Sequence, residues 1–220
     1  MKMRITEVLY RLRLFFIPYL LILCSCLIIK LIYSREDIYF AVNKHHNDFA
    51  DYFFIGATAV GDGLFMLLVA IILVLYSYRK AFLMASSFLL TTVVAQVIKR
   101  IIRAPRPSLY FTDHNHIYYV KGVKLLSSNS FPSGHTVQAF TMAVVLAYFA
   151  RQKGWGFVYL LLALFIGYSR MYLSEHFFED VMAGSIIGTI TTIIWLTIID
   201  SKPFIHTPKW NSGLLSKKKS

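Results

Sequence analysis

Long apolar runs broken by short polar segments dominate the chain, and six of them are long enough to predict membrane-crossing helices. A bilayer core asks for about 20 mostly apolar residues per helix, fewer where neighbouring helices cover the ends. The runs extend from about Leu14 to Tyr33, Tyr52 to Tyr78, Ala81 to Ile98, Gly134 to Ala150, Trp155 to Tyr172 and Asp180 to Ile199. Gly61, Asp62 and Gly63 interrupt the second. The first run follows Lys2, Arg4, Arg11 and Arg13, as a signal peptide would, but its length and the lack of a small-x-small cleavage site favour a retained helix. The pattern predicts an all-α, polytopic membrane bundle of about six helices.

Composition agrees. The chain is 57% hydrophobic, against about 45–50% in a soluble domain. Its length suits one bundle with short connections: an N-terminal segment over 1–51, a core over 52–200 and a basic cytoplasmic tail over 201–220. The net charge of +12 does not point to nucleic acid, because the Lys and Arg residues sit at the ends of apolar runs instead of along one soluble face. Cys24 and Cys26 lie inside the first run, where they read as small hydrophobes, not metal ligands.

The charge does set an orientation. With the N-terminus inside, 13 of the 23 Lys and Arg residues fall on the inner side and ten outside. Three of those ten, Lys99, Arg106 and Arg170, have a chemical reason to be there. Basic flanks stay on the cytoplasmic side, so both termini are expected in the cytoplasm. Residues 99–133 and 169–180 then emerge together on the outer face, where three polar clusters can meet.

The first cluster runs from Lys99 through Arg100, Arg103 and Arg106 to Pro107. Cations at a membrane exit can simply snorkel, yet Pro105 and Pro107 hold Arg106 in an extended segment where its fork suits an oxyanion. The second is Pro132-Ser133-Gly134-His135 at the start of the fourth run. A helix N-terminus offers free N–H groups to an anion, Gly134 allows close approach, and His135 titrates near neutrality; an ordinary cap reads the same way. The third spans Ser169 to Asp180. If residues 176–180 open the sixth helix, His176 and Asp180 share one face at i, i+4, and the carboxylate orients the imidazole as in a catalytic triad. Arg170 adds a second guanidinium. A loop with a plain salt bridge is the alternative.

Together, Lys99-x6-Arg106-Pro107, Pro132-Ser133-Gly134-His135 and Ser169-Arg170-x5-His176-x3-Asp180 resemble the tripartite signature of the type 2 phosphatidic acid phosphatase family, over roughly residues 52–198. The resemblance implies the helical core shared with vanadate haloperoxidases and a phosphatase that needs neither metal nor cofactor. His176 would be the nucleophile, Asp180 its orienting partner and His135 the general acid, with Lys99, Arg106, Ser133, Gly134 and Arg170 holding the phosphoryl oxygens. It implies a lipid phosphate substrate within membrane lipids and no obligatory protein partner. An outward-facing site in a bacterial inner membrane suits undecaprenyl diphosphate or lipid A phosphate first, then phosphatidylglycerophosphate or phosphatidic acid. Haloperoxidases of this superfamily are soluble and larger. An anion transporter would carry charged or broken helices near the midplane, and the third, fifth and sixth runs lack ionisable groups in their interiors.

Two positions depart from the family pattern. Glu175 stands where an uncharged residue is common, and Phe177-Phe178-Glu179 replaces a small or proline-containing tripeptide. The carboxylates either raise the pKa of His176 or face water. Among the remaining polar residues, His45, His46, His114 and His116 read as solvated loop histidines and not as metal ligands. Asp62 reads as structural, and Tyr110, Phe111, Tyr118 and Tyr119 as the rim of a substrate entrance.

Overall fold

The computed structural model describes residues 4–113 and 116–216, so His114 and the lysines 217–219 lie outside the described residues. All regular structure among them is helical: α1 (Ile5–Arg11), α2 (Arg13–Ile32), α3 (Arg35–Asn43), α4 (Asp48–Val60), α5 (Gly63–Tyr76), α6 (Tyr78–Ile102), α7 (Pro107–Tyr110), α8 (Gly134–Phe149), α9 (Trp155–Tyr172), α10 (Phe178–Ile199), a 3-10 turn (Pro203–His206) and α11 (Pro208–Asn211). Four helices, α2, α6, α9 and α10, are each long and apolar enough to cross a membrane. The chain is thus a multi-pass membrane protein.

The second predicted run is two helices. Gly61 ends α4, the Asp62 carboxylate caps α5 by accepting from Leu64 N at 2.8 Å, and the pair bends by 53°. Taken together, α4 and α5 are apolar enough for a fifth crossing, as a broken span or a re-entrant loop, so the described residues give four or five spans in place of the six expected. The fourth predicted run, α8, has only 16 residues, yet it is apolar all round and buried along most of its length. That is the pattern of a helix enclosed by other helices.

Glycines allow the enclosure. On α10, a Cβ at Gly188 would stand 2.5 Å from the Val137 carbonyl oxygen and one at Gly184 2.8 Å from that of Ser133. Only a residue without a side chain lets the two backbones come this close, the device membrane helices use to gain contact where lipid offers no hydrophobic drive. The start of α8 is therefore locked to the start of α10, and Ser133 N donates to the Asp180 carbonyl at 3.0 Å.

Two peripheral pieces complete the molecule. Helix α2 lies on α9 and α10 with Phe15 and Tyr19 buried, while Leu21 and Leu31 on its other side are exposed for lipid. Helix α3 begins at a capping box, in which Ser34 and Asp37 bond reciprocally. It falls in the polar stretch between the first two predicted runs, where the apolar pattern gives no helix. At the opposite end, residues 203–216 fold back along α5 and α6, with Tyr78 N donating to Ser212 O at 2.9 Å and Trp210 against Phe82.

Candidate active site

The site forms where α6, α8, α9 and α10 end or begin. Helix α6 closes at Arg103, in a left-handed conformation at φ 50°, and the chain turns across the bundle end. Lys99 Nζ donates to the Asn129 carbonyl at 2.6 Å, Arg106 N to Ser127 O at 2.9 Å and Arg106 Nε to Ser128 O at 3.1 Å. Two cations of the first cluster thus hold the loop that leads into Ser133. The second cluster starts α8, with Ser133 at the N-cap and Gly134 beside open space.

The third cluster reverses direction between α9 and α10. Ser174 sits at φ 57°, and its hydroxyl accepts from Tyr39 at 3.0 Å and from Asn43 at 2.9 Å, both on α3. The Arg170 carbonyl accepts from Glu175 N at 3.0 Å and His176 N at 3.1 Å. His176 consequently precedes the helix, which opens at Phe178, instead of lying within it. Asp180 reaches back as a capping group and accepts from Phe177 N at 2.9 Å. The pairing expected along one helical face is made across the helix start.

Hydrogen-bond accounting sets the state of His176. Its Nδ1 lies 3.4 Å from Asp180 Oδ2 and 3.3 Å from Ser130 Oγ. Ser130 gives its own proton to Asp180 at 2.5 Å, so its oxygen is left to accept. With a carboxylate and an accepting hydroxyl around it, Nδ1 carries the proton and Nε2 the lone pair. His176 is 1% exposed. Burial first, then the charges of Arg106, Arg170 and Lys99, hold its pKa well below the ordinary 6.5. The imidazole is neutral at neutral pH.

Two guanidiniums flank it. Arg106 pairs with the Glu175 carboxylate and donates to the Glu175 carbonyl at 3.2 Å. Arg170 lies 3.5 Å from the same carboxylate and donates to Thr58 on α4 at 2.5 Å. Its Nε is buried and has no partner among the described residues. Leaving a charged donor unmet is costly unless an anion visits it. His135 is partly exposed, 3.9 Å from Asp62 at the α4–α5 bend.

The structure therefore brings Lys99, Arg106, Ser133, Gly134, His135, Arg170, His176 and Asp180 to one end of the bundle. It adds Ser130 and Thr58, small hydroxyls that carried no sequence signal, and places Asp62 beside His135. Asp62 did carry one, as an ionisable group inside an apolar run. Other expectations need correcting. Glu175 is buried between two arginines, and Glu179 pairs with Arg35 at 2.5 Å, so neither is free in water. The His46 side chain, only 5% exposed, is covered by the rings of Tyr118 and Tyr172 and lies 3.1 Å from Asp51. Phe111 and Tyr119 pack inward on Tyr39 and Phe177 instead of rimming an opening.

Fold and site together define a polytopic helical membrane protein with a buried cationic centre at one end of its bundle. The chain belongs to the PAP2 superfamily, which it matches over residues 80–203. It resembles phosphatidylglycerophosphatase B of Bacillus subtilis, 31% identical over 61% of this chain and 68% of that one. It also resembles undecaprenyl-diphosphatase BcrC of the same organism, 26% identical over 51% and 55%. Across the curated relatives, the matched part ranges from 37% to 68% of their own lengths. Among solved structures, LpxE of Aquifex aeolicus is 30% identical and superposes with a TM-score of 0.65 over 73% of this chain and 93% of its own.

Proposed function

We propose that the protein is an integral membrane phosphatase that hydrolyses the phosphomonoester or diphosphate of a lipid through a phosphohistidine on His176. The observation that carries this reading is the setting of His176, its Nδ1 between oxygens of Asp180 and Ser130, beside an arginine donor with no partner among the described residues. Nε2 attacks phosphorus as the bond to the lipid-side oxygen breaks, and that oxygen takes a proton from His135. Asp180 holds the positive charge that develops on the imidazole. In the second half, His135 takes a proton from water, the water oxygen bonds to phosphorus and the P–N bond breaks, which restores His176. Lys99, Arg106 and Arg170 face the spreading negative charge, the dominant task in phosphoryl transfer and one that Mg²⁺ performs in other enzymes. Burial and then the Arg170 charge hold the pKa of His135 down to about 4, below the near-neutral value its residue type suggests. Asp62 opposes them, and the negative charge of the bound phosphate supplies the rest of the shift that lets His135 carry the proton it donates.

We place the site on the outer, periplasmic side of a bacterial inner membrane, with both termini cytoplasmic, on the Lys and Arg bias. The first candidate substrate is undecaprenyl diphosphate, supported by the name of the BcrC relative, with lipid A phosphate next to it. The test is a phosphate-release panel of undecaprenyl diphosphate, lipid A and phosphatidylglycerophosphate, in detergent with EDTA. Turnover of at least one lipid is expected, with the first two fastest. Release that needs added metal, or none from any lipid, overturns the reading.

A further inference from the structure

Glu175 is a buried carboxylate, 3% exposed, inside a centre whose business is to bind an anion. Both arginines of that centre converge on it: Arg106 Nη1 pairs with its Oε2, and Arg170 Nη2 lies 3.5 Å from the same oxygen. It sits one peptide from His176, and the Arg170 carbonyl accepts from both backbone amides. Burying two like-charged guanidiniums side by side is expensive without an anion between them. Glu175 supplies that anion: burial pushes its carboxyl up, and the charges of Arg170 and Arg106 pull it back toward ionisation. It also leaves Arg170 Nε unused, so the carboxylate does not fill the place where a phosphoryl oxygen would bond.

The charges around His176 are then three cations, Lys99, Arg106 and Arg170, against two carboxylates, Glu175 and Asp180. A phosphatase must let go of inorganic phosphate, which carries much the same charge as the group it attacks. Charge that binds substrate, transition state and product alike lowers KM without raising kcat, and it slows release. Building on the phosphatase reading, we propose that Glu175 is a positioning and turnover-setting residue. It holds Arg106 and Arg170 in register and subtracts one charge from the cradle, so that product phosphate leaves.

The measurement is inhibition by inorganic phosphate and by orthovanadate, together with kcat and KM, in the purified full-length protein and in Glu175→Gln, which keeps the shape and an acceptor oxygen. The expected Ki for both oxyanions falls about tenfold, equivalent to about 1.4 kcal/mol, and kcat and KM fall together. Glu175→Asp, which retains the charge, holds Ki close to the wild-type value. If the amide does not fold, Glu175→Met, of similar volume, serves in its place. Damage to a merely structural brace weakens oxyanion binding, so a Ki that is unchanged or higher in Gln, or equally low in Asp, overturns the proposal. Phosphate affinity is also read without turnover, as the rise in unfolding temperature with added phosphate. If the wild type hydrolyses no lipid phosphate, the enzymatic reading fails, while that comparison still decides the role of Glu175.

Discussion

The bundle carries a buried arginine–carboxylate network at each end, and the two are built differently. At the end away from the motifs, Asp200 is fully buried and accepts from Arg79 Nε at 2.8 Å, Arg79 Nη2 at 2.5 Å and the Tyr148 hydroxyl at 2.6 Å. His206 Nε2 lies 2.6 Å from the Asp200 backbone oxygen, joining the returning C-terminal segment to α10. Both carboxylate oxygens are engaged. At the motif end, Arg106 and Arg170 share a single carboxylate, that of Glu175, and Arg170 keeps a buried donor with no partner among the described residues. Saturation makes the first network a brace. The unspent donor makes the second a site.

The contrast breaks most sharply at His176. His176→Ala removes the lone pair that Asp180 and Ser130 aim, and phosphate release from the preferred lipid is expected to fall on the order of 10⁴-fold or more. The unfolding temperature in detergent falls only modestly, because the lost ring leaves a cavity while Asp180 keeps its bonds from Ser130 and Phe177 N. Residual turnover within tenfold of wild type, in single-turnover assays, would remove His176 from the mechanism. Asp200→Asn is the mirror experiment. It leaves Arg79 buried without its counter-charge and is expected to cost about 3–5 kcal/mol of stability. The KM of the folded fraction should not move, since Asp200 sits at the other end of the bundle. A raised KM with an unchanged melting temperature would invert the assignment of brace and site.

How far the site was legible follows the same division. Lys99, Arg106, His135, Arg170, His176 and Asp180 could be read because each is a charged or titratable residue in a spaced motif, and because the apolar runs fix which motifs share a membrane face. Ser130 and Thr58 could not. A serine in Ser127-Ser128-Asn129-Ser130 and a threonine in an apolar helix look like many others, and only the meeting of α4, α9 and the 127–130 loop gives them partners. Glu175 was visible as a departure, but the sequence does not reveal that two arginines would enclose it. His46 misled for a related reason. Histidines in short polar loops are usually solvated, whereas this one is covered by Tyr118 and Tyr172 from segments far away in the chain. Helix α3 was hidden by its shortness, although Ser34 and Asp37 form a cap that the sequence spells out.

Ser130 offers a finer test. Its hydroxyl accepts near His176 Nδ1 while donating to Asp180, so Ser130→Ala leaves the imidazole with one guide instead of two. The loss of a single hydrogen bond of this kind is worth about 1 kcal/mol. Phosphate release should fall about fivefold to tenfold in kcat with little change in KM, and Ser130→Thr should restore part of it. A change confined to KM would mean that Ser130 contacts the lipid and not the nucleophile.

The smallest expected effect concerns the charges that face His176. Burial and the cations Arg106, Arg170 and Lys99 all oppose protonation of its ring, so its pKa lies well below 6.5. Protonation would occupy Nε2 and abolish attack, so the enzyme's own acid limb in kcat/KM falls below pH 6.5. Of the three cations, Lys99 is the one bonded to a backbone carbonyl, that of Asn129, and to no carboxylate among the described residues. Lys99→Met removes a positive neighbour, which makes the protonated imidazole less unfavourable and raises its pKa. The acid limb should therefore move to higher pH, by less than about one unit, since a full unit would ask 1.36 kcal/mol of a single screened charge. The phosphate of the substrate titrates near this range too, but identically for both proteins, so the displacement between the two profiles isolates the enzyme. A limb that stays in place would mean that Lys99 does not help to keep His176 neutral and acts on the phosphoryl group only.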